Sequence, residues 1–126
     1  MAPIPADLRI DVEIDGAASA PIDGPRLQSI APDYADDERR AWRLETLLGK
    51  ATSYTVTGAR DVVVELHTIE GAPIPALLMS RRGDLVATLV DPKDPFPRFH
   101  GEGGRLGRPG DTLPRVSGVK RIAARH

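Results

Sequence analysis

From Leu8 to Asp15 the chain alternates without a break, Leu-Arg-Ile-Asp-Val-Glu-Ile-Asp. That is the two-residue period of a strand with one face on a core and the other in water. Asp15-Gly16 closes it, because both residue types accept the backbone of a tight turn. Residues 16–25 read as a loop of small residues and prolines, and Arg26 to Ile30 as a short helical turn ended by Ala31-Pro32. The period then lengthens. Ala41, Leu44 and Leu48 recur at three and four residues, and Trp42 and Leu47 widen the stripe. This predicts one principal helix over about 35–48. Asp33 or Asp36 can cap it, Asp37 and Glu38 suit its first turn, and Gly49 suits the position after its last. Trp42 reads as a core anchor.

Beyond Gly49 the pattern returns to strands. Thr52–Thr57 alternates, and Val62-Val-Val-Glu-Leu66 is an apolar run of the kind found in buried strands. Glu70-Gly-Ala-Pro-Ile-Pro is a turn stiffened by two prolines. Leu77–Met79 and Leu85–Val90 flank Ser80-Arg-Arg-Gly-Asp84, a hairpin with Gly83 at a positive-φ position. From Asp91 the character changes: three prolines fall within 91–100 and five glycines within 101–110. So long an irregular stretch in a small domain is usually functional or disordered. A closing strand is expected over 117–122.

Together these elements predict one α+β domain over residues 1–126. It is β-rich, with a mixed, mainly antiparallel sheet, the principal helix, and a long irregular Pro/Gly-rich arm. The compact body spans about 8–92 and the basic arm 93–116.

Composition narrows the chemistry. The 126 residues include no cysteine, which excludes a disulfide framework, a thiolate metal site, an iron–sulfur cluster and a cysteine nucleophile. The start, Met-Ala-Pro-Ile-Pro-Ala, shows neither a basic nor an apolar leader region, and no apolar run approaches the roughly 18 residues of a membrane span. A cytoplasmic location is therefore expected, with no membrane partner. The net charge of −1 conceals an asymmetry. Residues 1–92 carry nine Arg or Lys against fifteen Asp or Glu, whereas residues 93–126 carry eight against three. The basic end either folds back on the acidic body or meets an acidic protein surface, a phosphate group or nucleic acid.

Gly101-x-Gly103-Gly104-x-x-Gly107, with Arg98, His100, Arg105 and Arg108 around it, resembles a phosphate-cradling loop. A dinucleotide fingerprint needs a strand before it and a helix after it, and here prolines flank it on both sides. A loop ordered by a partner is the other reading. The three histidines, His67, His100 and His126, lack the spacing of a helical zinc site, so no metal site is expected. No strained serine elbow or paired carboxylates point to catalysis. Phe96, Arg98, Phe99 and Arg105 form a minimal base-stacking set, but the acidic body argues against a large phosphate footprint. The candidate ligand- or partner-binding residues are Arg98, Phe99, His100, Arg105 and Arg108.

Several phrases resemble the molybdopterin-binding domain of the sulfite oxidase family. They are Leu27-Gln-Ser-Ile30-Ala-Pro32, Trp42-Arg-Leu-Glu-Thr-Leu47-Leu48, Thr55-Val-Thr-Gly58-Ala-Arg-Asp61, Gly71-Ala-Pro-Ile-Pro75, Leu85–Pro92 and Gly118-Val-Lys-Arg-Ile122. The resemblance covers about residues 8–122. It departs from the family where the metal is held, because the family uses a cysteine thiolate. It therefore implies a shortened relative without the cofactor; Lys120 matches the family's closing lysine by position, with no role carried over. The expected function is that of a non-catalytic accessory or binding protein engaging a protein partner through the arm. The alternatives are a small enzyme or cofactor binder holding an anionic, phosphate-bearing ligand at Arg98–Arg108, and nucleic-acid binding.

Overall fold

The computed structural model describes residues 3–96 and 114–126. Within them the chain forms ten strands and two short helices, arranged as two five-stranded sheets. Sheet A has the order β2 (Ala17–Asp23), β1 (Arg9–Ile14), β10 (Arg121–Arg125), β5 (Ser53–Thr57), β6 (Val63–His67). Sheet B has the order β3 (Tyr34–Ala35), β4 (Arg40–Arg43), β7 (Ile74–Met79), β8 (Leu85–Val90), β9 (Arg115–Ser117). The β1–β10 pair is parallel and the other strand pairs are antiparallel. The α+β class and mainly antiparallel pairing match expectation; the strands divide between two sheets rather than sharing one.

The first strand forms as its alternation dictates. Ile10 and Val12 face inward while Arg9 and Asp11 face water, and Asp15 (φ 50°) and Gly16 (φ 85°) make the turn. The next segment, expected as a loop, is strand β2. Its run of small residues carries little hydrophobic signal, and pairing with β1 supplies the order: Ile14 faces Ala17 and Ile10 faces Ile22. Helix α1 (Gly24–Ser29) follows, with the Asp23 carboxylate accepting the Arg26 N–H at 2.8 Å and Leu27 buried.

The principal helix expected over 35–48 is absent. In its place stand β3, β4 and a single helical turn, α2 (Leu44–Leu48). Asp36 caps a hairpin turn: its Oδ1 accepts the N–H groups of Glu38 and Arg39, and its Oδ2 receives the Arg39 guanidinium at 2.8 Å. Asp33 accepts the Arg43 N–H at 2.7 Å. Ala41 and Trp42 point to opposite faces of sheet B and both are buried. A strand buried on both faces loses its alternation, and here the apolar spacing happened to fit a helix. Only Leu44, Leu47 and Leu48 retain the predicted helical stripe, and Gly49 ends it at φ 88°.

Two more expectations change. Val62–Leu66, read as a buried strand, corresponds to β6 at the edge of sheet A, where Val62 and Val63 are 49% and 55% exposed. The closing strand over 117–122 is two strands, β9 in sheet B and β10 in the middle of sheet A, with Gly118 (φ 61°) between them. A close approach helps hold this crossing: a Cβ on Gly58 would collide with the Ser117 carbonyl oxygen and a Val116 methyl.

The core lies between the sheets. Ile10, Ile22, Tyr54, Val56, Leu66 and Ile122 meet Trp42, Leu77, Met79, Leu85, Ala87 and Val116 in one cluster. Trp42 is enclosed, its Nε1 donating to the Ile30 carbonyl at 2.7 Å. It is a core anchor, as expected.

Candidate functional site

Arg98, Phe99, His100, Arg105 and Arg108 lie outside the described residues, as does the glycine-rich 101–110 stretch. The structure does describe the two points between which this segment runs. After β8 the chain folds back at the Asp91–Asp94 bridge. Phe96 is buried, its ring 4.9 Å below the Arg39 guanidinium, and Arg39 Nη2 donates to the Phe96 carbonyl at 3.3 Å. At the return, the Thr88 hydroxyl donates to the Pro114 carbonyl at 2.9 Å, and β9 pairs with β8. Both anchors belong to sheet B. The Asp36 carboxyl that orients Arg39 is held at about 2: desolvation would raise it, but the Glu38 N–H, the Arg39 side chain and the Arg39 N–H outweigh that.

Sheet B also carries apolar residues on the face away from the core, although Arg43, Thr88, Arg115 and Ser117 share that face. Away from the core, the register aligns Ala41, Leu78 and Val86 in one row, Ala76 beside Arg43 and Thr88 in the next, and Ile74 with Val90 in a third. Ala41, Ala76, Val86 and Val90 are buried although they stand outside the inner cluster. Phe96 shares both properties, and the reversal after Val90 and the contact with Arg39 put it on this second face.

A groove of about 900 Å³ opens where the β6–β7 connection crosses from one sheet to the other. One wall is Thr68–Pro75, and the opposite side is built by Arg43, Glu45, Lys50, Tyr54 and the 91–93 turn. The Tyr54 hydroxyl donates to the Gly49 carbonyl at 2.8 Å and accepts the Ala51 N–H at 3.2 Å, fixing the backbone on either side of Lys50. Burial raises the pKa of this phenol. The Asp91 carboxylate accepts the Lys93 N–H at 2.9 Å and sets the turn that carries Lys93. Sequence reasoning did not find this groove, because its charged residues are scattered from 43 to 93 and share no motif.

Other polar groups make local contacts: the Arg26 guanidinium, for one, donates to the Ala20, Pro21 and Leu47 carbonyls. Lys120, the residue matching the family's closing lysine, bonds Asp61, and this hydrogen bond, ahead of the lysine's charge, lowers the Asp61 pKa. His67 lies 3.8 Å from Glu65 on the exposed face of β6, and His126 meets Asp15 at 2.8 Å. Ser80 accepts the Asp84 N–H in the β7–β8 turn. Among the described residues no three His, Asp or Glu side chains gather to hold a metal ion, and no helix is long and apolar enough to cross a membrane. With no cysteine in the chain, the donor set does not fit a thiolate-held molybdenum centre.

No family model, curated protein or solved structure matches the chain.

Proposed function

We propose that this chain is a non-catalytic accessory or binding protein, a cofactor-free relative of the molybdopterin-binding domain of the sulfite oxidase family. In this reading the Arg98–Arg108 segment engages a protein partner. The observation that carries it is the anchoring of that segment at both ends. It leaves sheet B at buried Phe96 and returns at Pro114, so a rigid sheet delivers a basic, glycine-rich sequence from two fixed points. Binding residues are typically carried on connections held by such scaffolds. The acidic balance of residues 1–92 would repel an extended polyanion such as nucleic acid, so the contact that fits the basic segment is a small acidic patch on a protein.

The test is a native pull-down with the whole chain and with an Arg98→Ala, Arg105→Ala, Arg108→Ala variant. The expected result is a stoichiometric protein partner kept by the parent and lost by the variant, with an unchanged melting midpoint. Equal recovery by both chains, or no stoichiometric partner for the parent, would refute the reading, and so would stoichiometric molybdenum in the purified protein. Truncation before residue 114 is unsuitable, because it removes β10 from the middle of sheet A.

A further inference from the structure

We infer that the β6 edge of sheet A is a self-association surface, where β6 pairs antiparallel with β6 of a second copy and joins two five-stranded sheets into one. Sheet A ends at β6, which pairs only with β5 among the described residues. Thr68 donates its N–H to the Thr52 carbonyl, and the Val62 carbonyl accepts the Gly58 N–H. The alternation of an antiparallel ladder then turns the backbone groups of Val64 and Leu66 toward β5 and those of Val63, Glu65 and His67 outward. No hydrogen bond among the described residues reaches that outward row.

The other sheet edges are guarded and this one is not. Strand β3 has two residues, β9 has three, and β2 carries Pro21. Short strands and prolines are common ways of closing an edge to other chains. Strand β6 has five residues, without proline or lysine. It is also the most apolar part of the described surface. The exposed large hydrophobic residues there are Val62, Val63 and Ile69, at 49%, 55% and 62%, all in or beside this strand. An open ladder and an apolar patch on one strand are the two features that invite a further strand.

The side chains select a second copy and set the register. The outer face of β6 carries Val63, Glu65 and His67, and Ile69 follows in the same alternation. A two-fold pairing centred on Glu65 would set the two glutamates against each other, and one centred on Val64 would set each glutamate against a valine. Centred on Leu66, the same ladder places Glu65 opposite His67 of the second copy and Val63 opposite Ile69 of the second copy, each twice by symmetry. A carboxylate then meets an imidazole N–H, exposed apolar groups cover each other, and Glu65 and His67 exchange their outward backbone bonds. Within one chain the two side chains lie 3.8 Å apart, too far for a hydrogen bond, so both keep that capacity for the other copy. Self-complementarity under a two-fold is what a homodimer interface requires.

The test is sedimentation equilibrium of the whole chain from about 10 μM to about 1 mM, the range of weak specific association. Amide hydrogen exchange is followed at both ends of that range. The mass should rise from 13.6 kDa toward twice that value, and the Glu65 and His67 amides should exchange more slowly as it does. His67→Glu opposes acids across the pairing and should weaken the dimer about tenfold. Adding Glu65→Lys to that variant restores opposite charges and should recover the dimer. Both positions are exposed, so the melting midpoint of the dilute chain should hold in each variant. A monomer throughout the range overturns the pairing, as does a dimer whose Glu65 and His67 amides exchange as in the monomer. So does dimerisation that His67→Glu leaves unchanged or that the double variant fails to recover.

Discussion

The two sheets share one core but differ on the faces turned away from it. In sheet A that face carries Arg9, Asp11, Glu13, Arg121, Arg125, Thr55 and Glu65, with Arg121 pairing Glu13 at 3.2 Å. In sheet B it carries Ala41, Ala76, Leu78, Val86 and Val90, and much of it is enclosed. Sheet A is thus half-buried in the manner of an ordinary antiparallel sheet, whereas sheet B has buried residues on both faces of β4, β7 and β8. One-sided burial writes a period of two into the sequence; two-sided burial erases it. Strand β1 was legible and β4 was mistaken for part of a helix for this one reason.

The comparison breaks most directly by placing a charge on each outer face. Val86→Lys should destabilise the protein by about 3 kcal/mol or more, because the ammonium has no partner in an apolar row. Ala123→Lys, opposite Glu13 and Thr55 in sheet A, should cost less than about 0.5 kcal/mol. Urea unfolding of both variants decides it; equal losses would mean that the two outer faces are equivalent.

Phe96→Ala removes an aromatic side chain from the second face and the ring under Arg39, which keeps its Asp36 pair. A loss of about 2–3 kcal/mol is expected, below the usual penalty for a central Phe because the site is peripheral. Denaturant midpoints measure it, and a loss under about 1 kcal/mol would show that Phe96 is no part of the seal on sheet B.

A smaller effect follows from the turn that begins sheet B. Asp36 has a folded pKa lowered from 3.8 to about 2. Its contribution is therefore fully present above about pH 4 and is lost as pH falls toward 2, worth about 1–2 kcal/mol. Asp36→Asn should flatten the stability–pH profile across that window. A profile unchanged by the substitution would assign the acid sensitivity to other carboxylates.

The smallest effect contrasts two turns. The β7–β8 hairpin meets its need for a left-handed residue with Gly83 at φ 90°, whereas the β5–β6 connection uses Arg60 at φ 60° and Asp61 at φ 58°. Replacing exposed Arg60 with Gly should stabilise sheet A by about 0.5–1 kcal/mol, since glycine carries no left-handed penalty. A lower melting midpoint would show that Arg60 makes a compensating contact.

Hydrophobic spacing and turn chemistry made β1, β5, α1 and the β7–β8 hairpin readable. The small-residue strand β2 was not, because its order comes from pairing with β1 rather than from its own side chains. The exposed valines of β6 were misread for the converse reason: an apolar run signals burial only when another layer covers it. The candidate arm residues were chosen on composition alone and lie outside the described residues. The groove left no trace in the sequence, since Arg43, Lys50 and Lys93 converge only through strand pairing and the crossing of the β6–β7 connection.

By itself the sequence determined the absence of thiolate chemistry, the acidic and basic ends, the strand-rich class and the local turns, because each depends on residue identity or near-neighbour spacing. Tertiary structure decided which strands share a sheet, which faces are covered and which charges lack partners. Those outcomes rest on contacts between residues far apart in the chain. The last strand shows it most plainly: a closing strand was legible, but not that β10 is the central strand of sheet A, held by β1 on one side and β5 on the other.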